Sequence, residues 1–246
     1  MRIRLVDVQQ SVLKKNVTLA QRLRERFAAS GTLVVNLLSS PGAGKTTLLE
    51  LTLRELGARH RVAALVGDQA TELDAARLAR SGAPVKQIVT GAECRLDADM
   101  VTSALAGWRT EHDVDALFVE NVGNLICPAE YDLGEDLRVA LFSVTEGEDK
   151  PLKYPLAFHT AHLVLITKTD LDGATGFDRA RALASIESVH PGVAVLELSA
   201  RTGAGLSQWL ELLETRIAAK AAIRGEVVAA RHPRGVGEPA RAGSQG

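Results

Sequence analysis

Ser39 to Thr47 reads Ser-Ser-Pro-Gly-Ala-Gly-Lys-Thr-Thr and follows the apolar run Thr32 to Leu38. A β-branched run that turns through glycines into Lys-Thr-Thr-Leu-Leu-Glu has the order strand, phosphate loop, helix. Backbone N–H groups of such a loop, together with the positive end of a helix opening near Lys45, form a concavity suited to phosphate oxygens. On this reading Pro41, Gly42, Ala43, Gly44, Lys45, Thr46 and Thr47 line a nucleoside-triphosphate site, with Lys45 on the β- and γ-phosphates and the Thr46 hydroxyl on Mg²⁺. The pattern departs from G-x-x-x-x-G-K-[ST] at its first position, where Ser39 replaces glycine. Two carboxylates accompany the loop. Asp68 follows the apolar run Arg61 to Val66 through Gly67, and Glu120 ends the run Asp115 to Val119. In an open parallel sheet, ligands collect beyond the C-terminal ends of the strands. Both acids are therefore candidates to hold Mg²⁺ and to position an attacking water, although strand-end acids also serve as caps and turn residues. Lys45, Asp68 and Glu120 form the candidate catalytic set, Thr46, Asp68 and Glu120 the candidate Mg²⁺ ligands, and Gly123 joins them on the phosphate side.

A second group follows the apolar strand pattern Ala161 to Thr167. Thr167-Lys168-Thr169-Asp170 resembles the N-K-x-D motif of GTPases, in which the aspartate accepts from guanine N1 and N2 and the lysine stem lies over the purine. Adenine presents the wrong donors to that carboxylate, so Asp170 argues for GTP over ATP. Thr167 replaces the usual asparagine, which removes a side-chain amide that ties loops together. Further on, Ser199-Ala200-Arg201-Thr202-Gly203 resembles the loop of the same proteins whose backbone approaches guanine. Lys168, Asp170, Ser199, Ala200 and Arg201 are the candidate base-binding residues, for GTP or GDP.

Seven short apolar runs would carry these residues: 32–38, 61–66, 84–89, 115–121, 138–144, 161–167 and 193–198. They alternate with helical spacings over 46–56, 97–108, 177–189 and 206–219, which indicates an α/β fold with a doubly wound, mostly parallel sheet. Val12, Leu13, Leu19, Leu23 and Phe27 mark residues 1–30 as a helical segment packing on that domain. Residues 31–222 are the expected nucleotide-binding domain. Residues 223–246 lose apolar periodicity, become rich in Gly, Pro, Ala and Arg, and read as a disordered tail. The chain of 246 residues is 46% hydrophobic and only 4% aromatic, so its core is built from Leu, Val, Ile and Ala. A formal net charge of −1 argues against a general nucleic-acid or anionic-membrane surface. No apolar run reaches the roughly 18 residues of a membrane span, and the N-terminus lacks a signal-peptide core, so a cytoplasmic location is expected. Cys94 and Cys127 are too few for a disulfide scaffold and read as free thiols, metal ligands or catalytic groups.

The runs Asn36 to Glu50, Val66 to Thr71, Val119 to Glu135 and Thr167 to Leu171 resemble those of the hydrogenase nickel-insertion GTPases, the HypB-type metallochaperones of the SIMIBI class of P-loop proteins. The resemblance covers roughly residues 10 to 215. It implies slow GTP hydrolysis, GTP-dependent homodimerisation, and delivery of nickel to the hydrogenase large subunit alongside a nickel chaperone. It also assigns Asp68 and Glu120 to two switch regions, and places Lys150 and Lys153 near phosphates or the partner subunit.

The same resemblance bears on the cysteines. Two thiolates per chain do not fill a four-coordinate site, but 2 + 2 donation across a symmetric dimer would, for Ni²⁺ or Zn²⁺. Where the family pattern reads Cys-His, this chain reads Cys94-Arg95, and no Cys or His precedes His60. Arginine cannot ligate, though its charge favours a neighbouring thiolate. A metal site on Cys94 and Cys127 would then be completed by Glu93, Asp97 or water. The alternatives are a GTPase delivering another metal or cofactor, like the urease or cobalamin chaperones, a small-molecule kinase, and a nucleotide-gated interaction module with negligible turnover.

Overall fold

The computed structural model describes residues 2–69, 73–108 and 114–231. Among these, seven strands form one sheet: β1 (Leu33–Ser39), β2 (Val62–Asp68), β3 (Val85–Val89), β4 (Ala116–Glu120), β5 (Leu137–Ser143), β6 (Leu163–Thr167) and β7 (Ala194–Leu198). Their order is β3-β2-β4-β1-β5-β6-β7, and every neighbouring pair is parallel. The central strands are buried along their whole length, which is why they read as unbroken apolar runs rather than as alternations.

Pairing register aligns the chemistry. Leu37 of β1 faces Glu120 of β4, and Thr167 of β6 lies between Ser143 and Leu198. Ser39, Asp68, Glu120 and Thr167 therefore all leave the sheet at its C-terminal edge. β4 and β5 flank β1 on opposite sides, so the loop after β1 opens at the switch point of the topology.

Side chains alternate across β1. Leu33, Val35 and Leu37 face α2 (Lys45–Gly57), α3 (Leu73–Ala79) and α9 (Leu206–Arg231). Val34 faces α1 (Arg2–Ser30) and α4 (Ala98–Leu105), while Leu38 joins the cluster under α6 (Pro155–His159) and α8 (Arg179–Val189). On the first face Trp209 is fully buried and donates its Nε1–H to Thr52 Oγ1 at 2.9 Å, so its one polar atom is satisfied.

Several boundaries differ from the sequence reading. α4 is shorter than 97–108, because Asp97 is its N-cap, accepting from the Met100 N–H, and Ala106 turns into extended backbone. Asp178 caps α8 in the same way. α3 and the one-turn helices α5 (Lys150–Lys153), α6 and α7 (Asp172–Thr175) carry too few turns to show a period. Val12, read as an inward position of α1, is exposed. The expected tail does not begin at 223, because α9 runs on through Gly225 to Arg231; the rest of that segment, 232–246, lies outside the described residues.

Candidate functional site

Between β1 and α2 the chain turns through Gly42 at φ 79° and Gly44 at φ 101°, both in the left-handed region where a Cβ is strained. Gly44 is the N-cap of α2, so the helix N–H groups open into the loop. Lys45 folds back and donates from Nζ to Ser39 Oγ at 2.8 Å. Ser39, the residue that breaks the glycine pattern, thus holds the loop lysine. Burial lowers the Lys45 ammonium below its ordinary value, and the charge of Glu120 partly offsets this.

The Thr46 hydroxyl donates to Glu120 Oε1 at 2.6 Å. Glu120 is only 4% exposed, and its Oε2 is buried and meets no hydrogen-bond partner among the described residues. Burial pushes its carboxyl up to about 7, against the opposing pull of the Thr46 hydrogen bond and the Lys45 charge. An unsatisfied buried oxygen beside a threonine hydroxyl, with Asp68 on the wall of the same cavity, is a hard-oxygen donor set of the kind Mg²⁺ takes. The cavity has a volume of about 490 Å³ and is lined by Pro41 to Thr47, Asp68, Glu120, Gly123 and Lys168, among others. Gly123 lies against the loop, where an added Cβ would stand 3.1 Å from Pro41 Cγ.

Asp74 and Arg77 also line this cavity, and the sequence reading did not single them out. Arg77 donates to Thr47 Oγ1 at 3.0 Å and to Glu50 Oε2 at 2.7 Å, which brings a guanidinium to the phosphate loop. No motif marks it. Lys150 and Lys153 do not line the cavity; they pair with Glu146 and Asp149.

A second cavity of about 260 Å³ shares Ala43, Gly44, Thr47 and Lys168 with the first and adds Asp170, Ala200 and Arg201. Lys168 sits at φ 60°, the one positive-φ residue other than glycine among the described residues. Ser199 does not face the cavity. It is fully buried and donates to Asp170 Oδ1 at 2.6 Å, while accepting from the Arg201 and Thr202 N–H groups at 3.2 Å. Thr167 corrects a second expectation. Its hydroxyl donates to the Ala43 carbonyl at 2.6 Å, so the tie between the end of β6 and the loop after β1 is made without an amide.

The cysteines depart furthest from the sequence reading. Cys94 and Cys127 are bonded to each other as a disulfide, with Cα atoms 6.2 Å apart. Glu93 pairs with Arg95, and Asp97 caps α4, so neither stands ready as a further ligand. Among the described residues no three His, Cys, Asp or Glu side chains gather to hold a metal. Arg95 lies over the Tyr131 ring at 3.9 Å. Two loops converge here because asparagines bind them. Asn121 Oδ1 accepts from the Leu96 N–H at 3.0 Å, and Asn124 donates to the Cys94 carbonyl at 3.3 Å. Asn121 directly follows Glu120, and its amide continues through Asn36 to Glu135 and Arg138, whose guanidinium holds the Ala129 and Tyr131 carbonyls beside Cys127.

Residues 33–197 match the family described as CobW/HypB/UreG, nucleotide-binding domain. The hydrogenase maturation factor HypB of Azotobacter vinelandii is 49% identical over 211 residues, covering 86% of this chain and 69% of the relative. The crystal structure of HypB from Helicobacter pylori in complex with nickel superposes with a TM-score of 0.78 at 35% identity, over 83% of this chain and 96% of that one. That of the hydrogenase maturation factor HypB from Archaeoglobus fulgidus gives 0.77 at 38% identity, over 83% and 99%.

Proposed function

The chain belongs to the CobW/HypB/UreG family, in its HypB branch of hydrogenase maturation factors, and on that premise we propose that it serves nickel insertion into hydrogenase as a GTP-hydrolysing accessory protein. The observation that carries the nucleotide half is the junction of two cavities on one loop. Lys45, Thr46 and Glu120 meet on one side of Ala43 and Gly44, and Asp170 lies on the other. A triphosphate and a guanine can be held at once by that arrangement.

In this reading residues 31–222 are the nucleotide-binding domain. The loop N–H groups from Gly42 to Thr47 and the Lys45 ammonium bind the phosphates, and Asp170, oriented by Ser199, reads the guanine edge. Thr46, Asp68 and Glu120 would hold Mg²⁺, which when bound neutralises charge on the transferring phosphoryl group. Glu120 also stands where it can orient the attacking water, and Arg77 brings positive charge to the phosphate side. Turnover is slow and serves to switch a homodimer, as in the metallochaperone reading.

Nickel is the cargo. Its passage over Cys94 and Cys127 requires the dithiol form, because sulfurs bonded to each other have no thiolate to give. Zn²⁺ would compete for the same thiolates. Arg95 in place of histidine keeps one alternative open, the delivery of another metal. The test has two arms. Phosphate release from GTP but not ATP, lost in Lys45→Ala, is expected in vitro. Hydrogenase activity in a strain lacking its own maturation factor should return with this chain and not with Lys45→Ala. Turnover of ATP in preference to GTP would refute the nucleotide assignment, and failure to restore hydrogenase with intact GTP turnover would refute the client.

A further inference from the structure

Two acceptors on one face of α2 meet the same guanidinium. Thr47 stands in the first turn of that helix, and Glu50 lies one turn further on. From α3, Arg77 donates through Nη2 to Thr47 Oγ1 at 3.0 Å and through Nε to Glu50 Oε2 at 2.7 Å. Leu78, its neighbour in sequence, is fully buried in the cluster that contains Leu49 and Leu53 of α2, which fixes α3 beside that helix. The planar fork of Arg77 is therefore preset, with a carboxylate on one donor and a hydroxyl on the next. A hydroxyl that accepts from Arg77 keeps its own O–H as a donor.

The two cavities show where that donor can act. Lys45, Thr46, Asp68 and Glu120 line the phosphate cavity alone, and Asp170 lines the other alone. Ala43, Gly44, Thr47 and Lys168 line both, and of these Thr47 is the one with a hydroxyl. A nucleotide laid across the junction passes it at the ribose and at the phosphate nearest the ribose. Thr47 also presents there a backbone N–H from the first turn of α2, where helix donors lack intrahelical partners. An N–H and an O–H on one residue suit a phosphate oxygen.

We propose that Arg77 is a positioning residue for the α-phosphate, holding the Thr47 hydroxyl as a donor to that group. This role rests on the nucleotide assignment and adds to it which phosphate Arg77 serves. A guanidinium on the γ-phosphate favours GTP over GDP and raises turnover; one that acts at the ribose end of the triphosphate serves GTP and GDP alike. The Arg77 side chain is 38% exposed, so its ion pair with Glu50 adds little to the fold itself.

The test uses the full chain, with GDP and a non-hydrolysable GTP analogue followed by calorimetry and GTP turnover measured beside them. Arg77→Ala is expected to weaken both nucleotides by the same factor, about tenfold. At saturating GTP, kcat should change far less than the affinity, and the melting temperature of the nucleotide-free chain should stay within about 2 °C of the parent. Arg77→Lys keeps the charge but not the fork, and should recover little of the loss. Thr47→Val should cost as much as Arg77→Ala, and the double variant no more than either, because the pair acts as a unit. With GDP carrying sulfur on the α-phosphate, the parent should prefer one diastereomer, and Arg77→Ala should narrow that preference. A loss confined to the GTP analogue, full recovery in Arg77→Lys, additive losses in the double variant, or a diastereomer preference that Arg77→Ala leaves unchanged would overturn the role of Arg77 with the nucleotide assignment intact. A parent that binds neither nucleotide would overturn both.

Discussion

The Thr167 hydroxyl donates to the Ala43 carbonyl at 2.6 Å, across 124 positions of sequence. This bond joins the end of β6 to the middle of the phosphate loop and makes Ala43 part of both cavities. Thr167→Val keeps the shape and strands that buried carbonyl. The expected cost is about 1–2 kcal/mol of stability, seen as a lower denaturation midpoint, together with weaker GTP binding. Thr167→Asn should restore most of the affinity if the tie itself is what counts.

Glu120 gives stability a pH signature. Its folded carboxyl is pushed up to about 7 from an ordinary 4.5, so the protonated form is the one the fold favours. That contribution is fully present below pH 4.5 and is lost as pH rises through about 7. Glu120→Gln does not titrate. It should match the parent at pH 4.5 and exceed it above pH 8 by up to about 3 kcal/mol, in urea melts run at both values, while GTP turnover falls. A pH-independent difference would mean that the Glu120 carboxyl is not held in its acid form.

Asp170→Asn should move nucleotide preference from guanine towards xanthine, because the amide NH₂ donates to the 2-carbonyl of xanthine where guanine presents a 2-amino donor, while the amide oxygen still accepts from N1–H. Competition of xanthosine triphosphate against GTP measures it. Ser199→Ala, which leaves Asp170 in place but unheld, should weaken GTP without changing that preference. Unchanged GTP affinity in Asp170→Asn would assign base reading to another residue.

Gly134 sits at φ 77°, and a Cβ there would stand 2.6 Å from the Ala20 carbonyl oxygen of α1. Gly134→Ala therefore combines left-handed strain with a collision against helix backbone. A loss of about 3 kcal/mol is expected, read as a fall in melting temperature. A neutral result would show that α1 yields locally.

Reduction should unmask the cysteines. Equilibrium dialysis with Ni²⁺ or Zn²⁺, with and without a non-hydrolysable GTP analogue, is expected to show metal that depends on Cys127 in the reduced chain and none such in the disulfide form. If Cys127→Ser leaves metal content unchanged in the reduced chain, the pair has no part in metal handling.

The sheet was legible because its strands are buried on both faces and stand out as apolar runs between glycines. The loop residues and Asp170 were legible because each follows such a run, and strand ends share one edge. Arg77 was not. It reaches Thr47 from a short helix whose position depends on α2 packing beside it, and nothing local to Arg77 records that. The pairing of Cys94 with Cys127 was equally hidden, since a separation of 33 residues says nothing until the loops after β3 and β4 are known to converge. Thr167 misled for a related reason. A hydroxyl replaces an amide only where the acceptor is close, and that closeness is set by the order β1-β5-β6.

Asn16 of α1 accepts from the Ala98 N–H at 2.8 Å and donates to the Asp132 carbonyl at 2.9 Å. Ala98 lies four residues beyond Cys94, and Asp132 five beyond Cys127. Arg24 grips Asp132 a second time, two turns along the same helix. The two cysteine segments are thus short cantilevers bolted to one post. Their roots keep a fixed gauge, and Asn124 holds the Cys94 carbonyl besides, so the two sulfurs have neighbours that keep them together other than the bond between them.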